Sequence, residues 1–242
     1  MDVGTALLPL GIIPALFILY VTLGGYEGKF KNAYIFLTFI GGIVLGTIIS
    51  LMELWWILGL NEEALHSVPN IIILSFFFLF LEQLSKLSVL NMRRFQKDEG
   101  VPLYGASLGL GFASPSGAVL LGFMSHFKIM DENIFSLGGV FLVVLAISLL
   151  LIGCTTGIWI GTAVKKKERI KGLFLASFAG MASWIAILLQ VPLKPVSIYG
   201  YVLIAITFCY AILIYIYAYK RTLPFHLMDR KMKKKILEKK FF

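Results

Sequence analysis

Apolar blocks of about twenty residues or more recur along this sequence, and they limit the chain to very few folds. A bilayer core of about 30 Å is crossed by roughly 20 apolar residues in a helix. Hydrophobic residues make up 59% of the 242 residues and charged residues 14%, against about a quarter charged in soluble domains. Since only helices and closed barrels satisfy their backbone groups in lipid, we expect an all-α integral membrane protein.

Seven such blocks predict a transmembrane bundle of seven helices in one domain, 1–219, followed by a basic tail, 220–242. The second and fifth blocks are longer than a bilayer requires, which indicates tilt or helical extension beyond the membrane. We place the blocks at 4–23, 33–60, 70–92, 104–126, 134–164, 172–191 and 198–219.

Lysine and arginine are concentrated on one side of the predicted bundle. The opposite side carries only Lys128 and Lys194. Because cytoplasmic loops are enriched in Lys and Arg, we expect a multi-pass protein of the cell membrane with its N-terminus outside and its C-terminus in the cytoplasm. Cationic flanks of this kind suit anionic lipid headgroups and do not suggest nucleic acid. The basic segments 24–32, 93–103, 165–171 and 220–242 carry two, three, five and nine of the 22 basic residues.

Three ionisable residues fall inside the predicted spans. Glu82 and Lys86 lie one turn apart near the bilayer midplane, in the order that favours a helix ion pair. An unpaired charge there costs at least about 2.5–3.5 kcal/mol, so the pair is either a buried clamp between helices or a catalytic or proton-handling group. Glu53 precedes Trp55 and Trp56, which resemble an interfacial belt, so we expect Glu53 to be wetted or paired at the membrane boundary.

The fourth block is rich in small residues. Gly105, Gly109 and Gly117 share one helix face, which predicts close helix packing, as Gly157 and Gly161 do in the fifth block.

Pro115 removes a backbone donor from the fourth helix and should kink or break it. Ser114 and Ser116 stand on either side of it and can serve the freed carbonyl groups. This segment is therefore either a packing groove or a site built on a broken helix. Its depth matches that of Glu82, so the two elements could meet.

The sequence argues against a metal or a nucleophile within the bilayer. His66, His126 and His226 lie at span ends or in the tail, and none forms a close metal pair. No aspartate lies in a predicted span, and a serine nucleophile would lack its histidine base. We therefore predict no metal and no cofactor.

The order of these features resembles the PrsW family of intramembrane proteases and their relatives, the Aph subunits of γ-secretase. The stretches Pro14–Tyr20 and Tyr26–Phe30 resemble the first PrsW helix and its loop. The family motif of two glutamates, two variable residues and a basic residue falls on Glu82-Gln83-Leu84-Ser85-Lys86, and a Gly-Leu-Gly-Phe segment falls on 109–112. The resemblance covers most of residues 10–190.

Departures from the protease pattern favour the Aph side of the resemblance. The second glutamate of the family is Gln83 here, and the Glu-Asn pair after Phe112 is Ser116-Gly117. The pattern Phe-x-x-x-Ser-Gly is similar to the pattern of the Aph subunits. Those subunits also carry a single glutamate before a basic residue in the preceding helix. The Aph histidines fall near Gly153 and Phe178, so both are absent.

The resemblance implies a non-catalytic scaffold, a pseudoenzyme that binds another membrane protein or lipid through its glycine-rich helices, including Gly111 and Phe112. By analogy the protein partner would be a presenilin-like intramembrane protease. The alternative is an active PrsW-like protease that uses Glu82. A second alternative is a small-molecule or ion transporter lined by Glu82 and Lys86, although repeats are absent and polar residues in the spans are few.

Overall fold

The computed structural model describes residues 11–60, 67–117, 119, 137–193 and 198–227. Within these ranges the chain is helical, with short turns between helices and no strand. The helices are α1 Ile13–Leu23, α2 Asn32–Leu58, α3 Val68–Leu90, α4 Arg93–Gln96, α5 Val101–Ala113, α6 Leu137–Lys166, α7 Arg169–Leu188, α8 Gln190–Leu193, α9 Ile198–Tyr217 and α10 Leu223–Leu227, the last two joined by a π-helical turn at Ala218–Thr222.

Five of the described helices are long and apolar enough to span a membrane. They correspond to the second, third, fifth, sixth and seventh predicted blocks, and α1 and α5 are shorter apolar helices. The first and fourth blocks, 4–23 and 104–126, lie partly outside the described residues. The all-helical class is therefore confirmed for the described residues, with five helices able to span a membrane, while the count of seven spans and the orientation stay predictions.

The outer faces of the long helices are apolar. On α2, Phe36, Val44, Leu51 and Trp55 are all exposed. Such a row of apolar side chains is unfavourable in water but matches lipid tails. This distribution is typical of a helix with one face in the bilayer and one face in the bundle.

α5 is the centre of the bundle. Every residue from Val101 to Ala113 is buried, because α5 packs between α2 and α6. The helix begins after Gly100 with Pro102 in its first turn, where a missing backbone donor costs nothing. Its position brings the small residues of the fourth block against two neighbouring helices at once.

The basic segments meet at one end of the bundle. The Lys31 ammonium lies 3.1 Å from the Asp98 carboxylate, and Lys165 donates a hydrogen bond to the backbone carbonyl of Glu99 at 3.0 Å. The Tyr219 hydroxyl donates to the carbonyl of Gly24 at 3.4 Å. These contacts bring 24–32, 93–103 and 165–171 together with the end of the seventh block, 198–219, which directly precedes the basic tail.

Asp98 organises this end. Burial raises the pKa of its carboxyl, but hydrogen bonds from the Gly100 amide and from Lys31 outweigh burial, and the net pKa lies below its ordinary value.

Beyond residue 219 the chain stays helical, and Leu223 and Leu227 pack into the core, so the bundle extends into the basic tail. Residues 228–242 of that tail lie outside the described residues.

Candidate functional site

Glu82 and Lys86 form an ion pair on the inner face of α3. The Lys86 Nζ lies 3.6 Å from Oε2 of Glu82, and the two side chains are 1% and 15% exposed, respectively. Lys86 also donates to Oε1 of Gln83 at 3.4 Å and lies 4.7 Å from the ring centroid of Phe112 on α5. The lysine is therefore surrounded by a carboxylate, an amide oxygen and an aromatic face, each of which stabilises a cation.

Trp184 on α7 completes this group, and the sequence analysis did not single it out. Its indole Nε1 donates to Oε1 of Glu82 at 2.9 Å. Glu82 thus has one oxygen engaged by Trp184 and the other by Lys86. The bond from Trp184 ties α3 to α7, the ion pair lies within α3, and Lys86 ties α3 to α5 through Phe112. The signal that could have found Trp184 is its position inside a span, since a buried indole N–H needs an acceptor.

Glu53 faces the inside of the bundle, and the expectation that it would be wetted is wrong. Its side chain is only 3% exposed, and neither carboxylate oxygen has a hydrogen-bond partner among the described residues. It lies within electrostatic range of Glu82 and Lys86. Trp55 is two residues further on, which turns it about 200° around α2, so Trp55 is 80% exposed while Glu53 points inward.

A cavity opens beside Glu82. Its volume is about 50 Å³, and it is partly open to the surroundings of the bundle. The walls are mainly apolar, and polar groups from α2, α3, α6, α7 and the segment after α5 converge on it. The lining residues are Ser50, Leu54, Ile57, Leu79, Glu82, Gln83, Lys86, Ala113, Ser116, Val119, Leu149, Ile152, Gly153, Thr156, Ser183, Trp184 and Ile187.

Gln83 brings an unused donor to this cavity. Its side chain is fully buried, and its Nε2 has no hydrogen-bond partner among the described residues. The Oε1 of the same amide accepts from Lys86, which can only donate, so the orientation of the amide is set and the NH₂ group is the free end. In the PrsW pattern this position carries the second glutamate.

Pro115 interrupts the fourth helix where the sequence predicts. The regular part of α5 ends at Ala113, and the carbonyl of Gly111, which a residue other than proline at 115 would have bonded, accepts from the Ser114 hydroxyl at 2.8 Å. Ser116 is turned to the cavity instead, 3.4 Å from the Ser50 hydroxyl. Gly117 is buried next to it. The interrupted helix and Glu82 therefore do meet, across the cavity.

The glycines of α5 pack against α6. A methyl group added at Gly105 would overlap the backbone carbonyl of Gly157, and one added at Gly109 would overlap that of Gly153. Gly161 similarly faces the carbonyl of Val101. The backbones approach so closely that only hydrogen fits at these positions, the pattern of small-residue packing in membranes.

The opposite face of α5 packs equally closely on α2. A side chain at Gly111 would overlap the carbonyl of Phe39, and side chains at Gly42 and Gly46 would overlap the backbone of α5 near Phe112. Neither Gly42 nor Gly46 was singled out from the sequence, although their spacing of four is the same signal. All of these glycines are used within the chain.

Metal ligands do not gather at the cavity. Within the described ranges, no three His, Cys, Asp or Glu side chains come together in a way that could hold a metal ion. The carboxylates near the cavity are Glu53 and Glu82, and Lys86 already occupies the cation position beside Glu82. The donor set therefore favours organic hydrogen-bonding groups over a transition metal.

Comparisons with known proteins return no match among family models, curated proteins or solved structures. The resemblance to PrsW and Aph consequently rests on the short motifs around Glu82 and Phe112. The function has to be inferred from the chemistry of the cavity and its surroundings.

Proposed function

We propose that this chain is a non-catalytic polytopic membrane scaffold of the PrsW/Aph type that holds an amphipathic membrane ligand, a lipid, in the cavity beside Glu82. It would lie in the cell membrane with its basic end in the cytoplasm. The observation that carries the proposal is the cavity itself, because mainly apolar walls with a few converging polar groups are typical of ligand sites.

The hydrogen bonds of Glu82 argue for binding over catalysis. A general base must have a lone pair within hydrogen-bond reach of the proton that it removes, and contacts that fix the carboxylate limit that reach. Both oxygens of Glu82 are engaged, one by Trp184 at 2.9 Å and the other by Lys86 at 3.6 Å. The ion pair, with the bond from Trp184 to Glu82, is better suited to hold α3 and α7 in place around a ligand than to activate water.

Because the glycines are packed inside the bundle, a protein partner would bind to other surfaces than the glycine-rich faces. Gly105, Gly109 and Gly111 are covered by α2 and α6, so they stabilise the scaffold from within. A membrane protein partner, by analogy a presenilin-like protease, would instead contact the exposed apolar faces of α2, α7 or α9, such as the face bearing Phe36 and Trp55. Rigid glycine packing in the centre suits a scaffold, since it keeps those outer faces in fixed positions.

Purification in mild detergent, followed by mass spectrometry of copurifying lipids and proteins, tests the proposal. Ser116→Phe should place a bulky ring in the cavity, and Ser88→Phe, on the exposed side of α3, is the matched control. We expect the unaltered protein and the control to retain a stoichiometric lipid and Ser116→Phe to lose it. Equal lipid retention by both variants, or no retained lipid in any sample, would contradict the proposal.

An active intramembrane protease is the second candidate, and Glu53 is the observation that favours it. A second buried carboxylate within electrostatic range of Glu82 is the kind of group that a general acid–base pair needs. Cleavage of a membrane-embedded peptide that is lost in both Glu82→Ala and Glu53→Gln would support this candidate over the scaffold.

A further inference from the structure

We propose that Arg94, fixed on two aromatic rings at the basic end of the bundle, holds the phosphate of an anionic phospholipid whose acyl chain lies along α2. This site is on the outer surface, and its residues do not line the cavity beside Glu82. Three features support it: an excess of positive charge at this end, the fixed guanidinium, and an apolar stripe that begins beside it.

The basic end of the bundle carries a large excess of positive charge. Up to residue 227, the four basic segments contain twelve lysines and arginines against four acidic residues. One of the acidic residues, Asp98, is paired with Lys31 at 3.1 Å. Even if each of the others paired with one cation, most of the cations would be left without a carboxylate. The potential at this end therefore favours an anion from the surrounding membrane.

Arg94 is the cation that the fold holds in place. It is exposed, and its guanidinium carbon lies 5.6 Å from the ring centroid of Tyr34 and 5.4 Å from that of Phe95. The Tyr34 ring packs edge-on against Phe95 and Tyr104, which are both buried, so the rings under the guanidinium are themselves fixed. A guanidinium stacked in this way keeps its edge for a phosphate and loses little further entropy when it binds one.

The same rings select the charge of the headgroup. The Lys31 ammonium lies 5.2 Å from the centroid of the Tyr34 ring, so this ring already faces two cations. A choline group would have to displace one of them to reach the ring, and the surrounding positive charge would repel it. A headgroup that carries a phosphate and no cation, as in phosphatidylglycerol, meets neither obstacle.

An apolar stripe on α2 begins one turn from Tyr34 and offers a surface to the acyl chain. Leu37, Val44 and Ile48 are exposed on this stripe. A side chain at Gly41, which lies between them, would meet open space. At 100° per residue, all four positions fall on one side of the helix together with Tyr34. The stripe favours a lipid over a soluble phosphate, which would gain nothing from an apolar surface.

Native mass spectrometry of the full chain in a neutral detergent tests the site. The protein is titrated with dioctanoyl phosphatidylglycerol and with dioctanoyl phosphatidylcholine, and inorganic phosphate is added as a competitor. We expect saturable binding of a first phosphatidylglycerol. Phosphatidylcholine should bind at least about fivefold more weakly, since that is the contribution of one basic residue near an anionic lipid. Equimolar phosphate should not displace the bound lipid.

Two neighbouring arginines distinguish a fixed site from diffuse attraction. Arg94→Gln should weaken phosphatidylglycerol binding at least about tenfold, because it removes a charged donor from the phosphate. Arg93→Gln is the matched control, since Arg93 is equally exposed but contacts no aromatic ring within the described ranges, and it should cost at most about twofold. Arg94→Lys should recover part of the loss, because lysine keeps the charge and lacks the planar fork.

Three outcomes would overturn the inference. Equal losses in Arg93→Gln and Arg94→Gln would show that the charge acts as a whole. Equal affinity for the two phospholipids would remove the selection for an anionic headgroup, and displacement by equimolar phosphate would show a site for free phosphate. The comparison of the two phospholipids uses the unaltered protein, so it decides the question even where Arg94→Gln fails to fold.

Discussion

The indole of Trp184 and the carboxylate of Glu82, 102 residues apart in the chain, are joined by a hydrogen bond of 2.9 Å. This bond directs Oε1 of Glu82 toward α7 and leaves Oε2 to Lys86 at 3.6 Å. The charged pair is thereby fixed to two helices, and the cavity beside it has a polar wall of defined shape.

The clamp between Glu82 and Lys86 predicts a specific pattern of stability. Lys86→Met leaves the carboxylate unpaired and should lower the melting temperature in detergent, because breaking a buried pair costs about 3–5 kcal/mol in soluble proteins. Glu82→Gln in the same chain should restore part of the loss. Differential scanning fluorimetry of both single variants and the double variant measures the coupling, and additive losses would mean that the two residues act independently.

The contact between α5 and α6 predicts that Gly109→Leu is more destabilising than leucine at Gly105 or Gly117. Gly109 is central to the close approach with Gly153, and overpacking should cost about 1–3 kcal/mol or more. Gly41→Leu is the matched control, since a side chain at Gly41 meets open space. Melting temperatures test it, and a Gly109→Leu variant as stable as the control would rule out the contact.

The ion pair between Asp98 and Lys31 predicts a loss of stability at acid pH. Because the pKa of Asp98 is lowered in the folded protein, its contribution is present above its unfolded pKa of about 3.9 and is lost as pH falls through the folded value. Asp98→Asn should lower the melting temperature at pH 7, and this deficit should shrink as pH falls below about 3.9. The neighbouring Glu99→Gln is the control, and a deficit in Asp98→Asn that does not shrink as pH falls would point to another cause.

The contacts among the basic segments predict their common exposure to the cytoplasm. A cysteine at Lys97 should be labelled only from that side, and a cysteine at Glu63, in the predicted external segment 61–69, only from the other. Cys154 and Cys209 are replaced first, so that each variant has one thiol. Glu63 lies outside the described residues, and labelling of both positions from one side would contradict the count of seven spans.

The donor set of the cavity predicts that the purified protein holds no stoichiometric transition metal and cleaves no membrane-embedded peptide. Lys86 competes with any cation for Glu82, and the remaining groups are hydroxyls and an amide, which are weak zinc ligands. Elemental analysis and a cleavage assay, with Glu82→Ala as the control, measure both properties. Cleavage that disappears in the control would restore the protease hypothesis.

Helix positions and small-residue faces could be predicted from the sequence because they depend on local properties. The block 33–60 became the helix Asn32–Leu58, since hydropathy and length alone mark a spanning segment. The glycine spacing of α5 and α6 likewise indicated close packing. A spacing of four places residues on one face of any helix, whatever that helix later meets.

The partners of those faces were decided only by the tertiary structure. Hydropathy does not say how a helix is rotated about its axis, and that rotation turned Glu53 inward although Trp55 beside it faces outward. Nor could the sequence pair Trp184 with Glu82, or Gly111 with α2, because these contacts depend on which helices become neighbours. Lipid solvates every apolar helix face about as well as another helix does, so hydropathy does not decide which helices become neighbours. The packing of small residues and the pairing of a few buried polar groups select the arrangement of the helices.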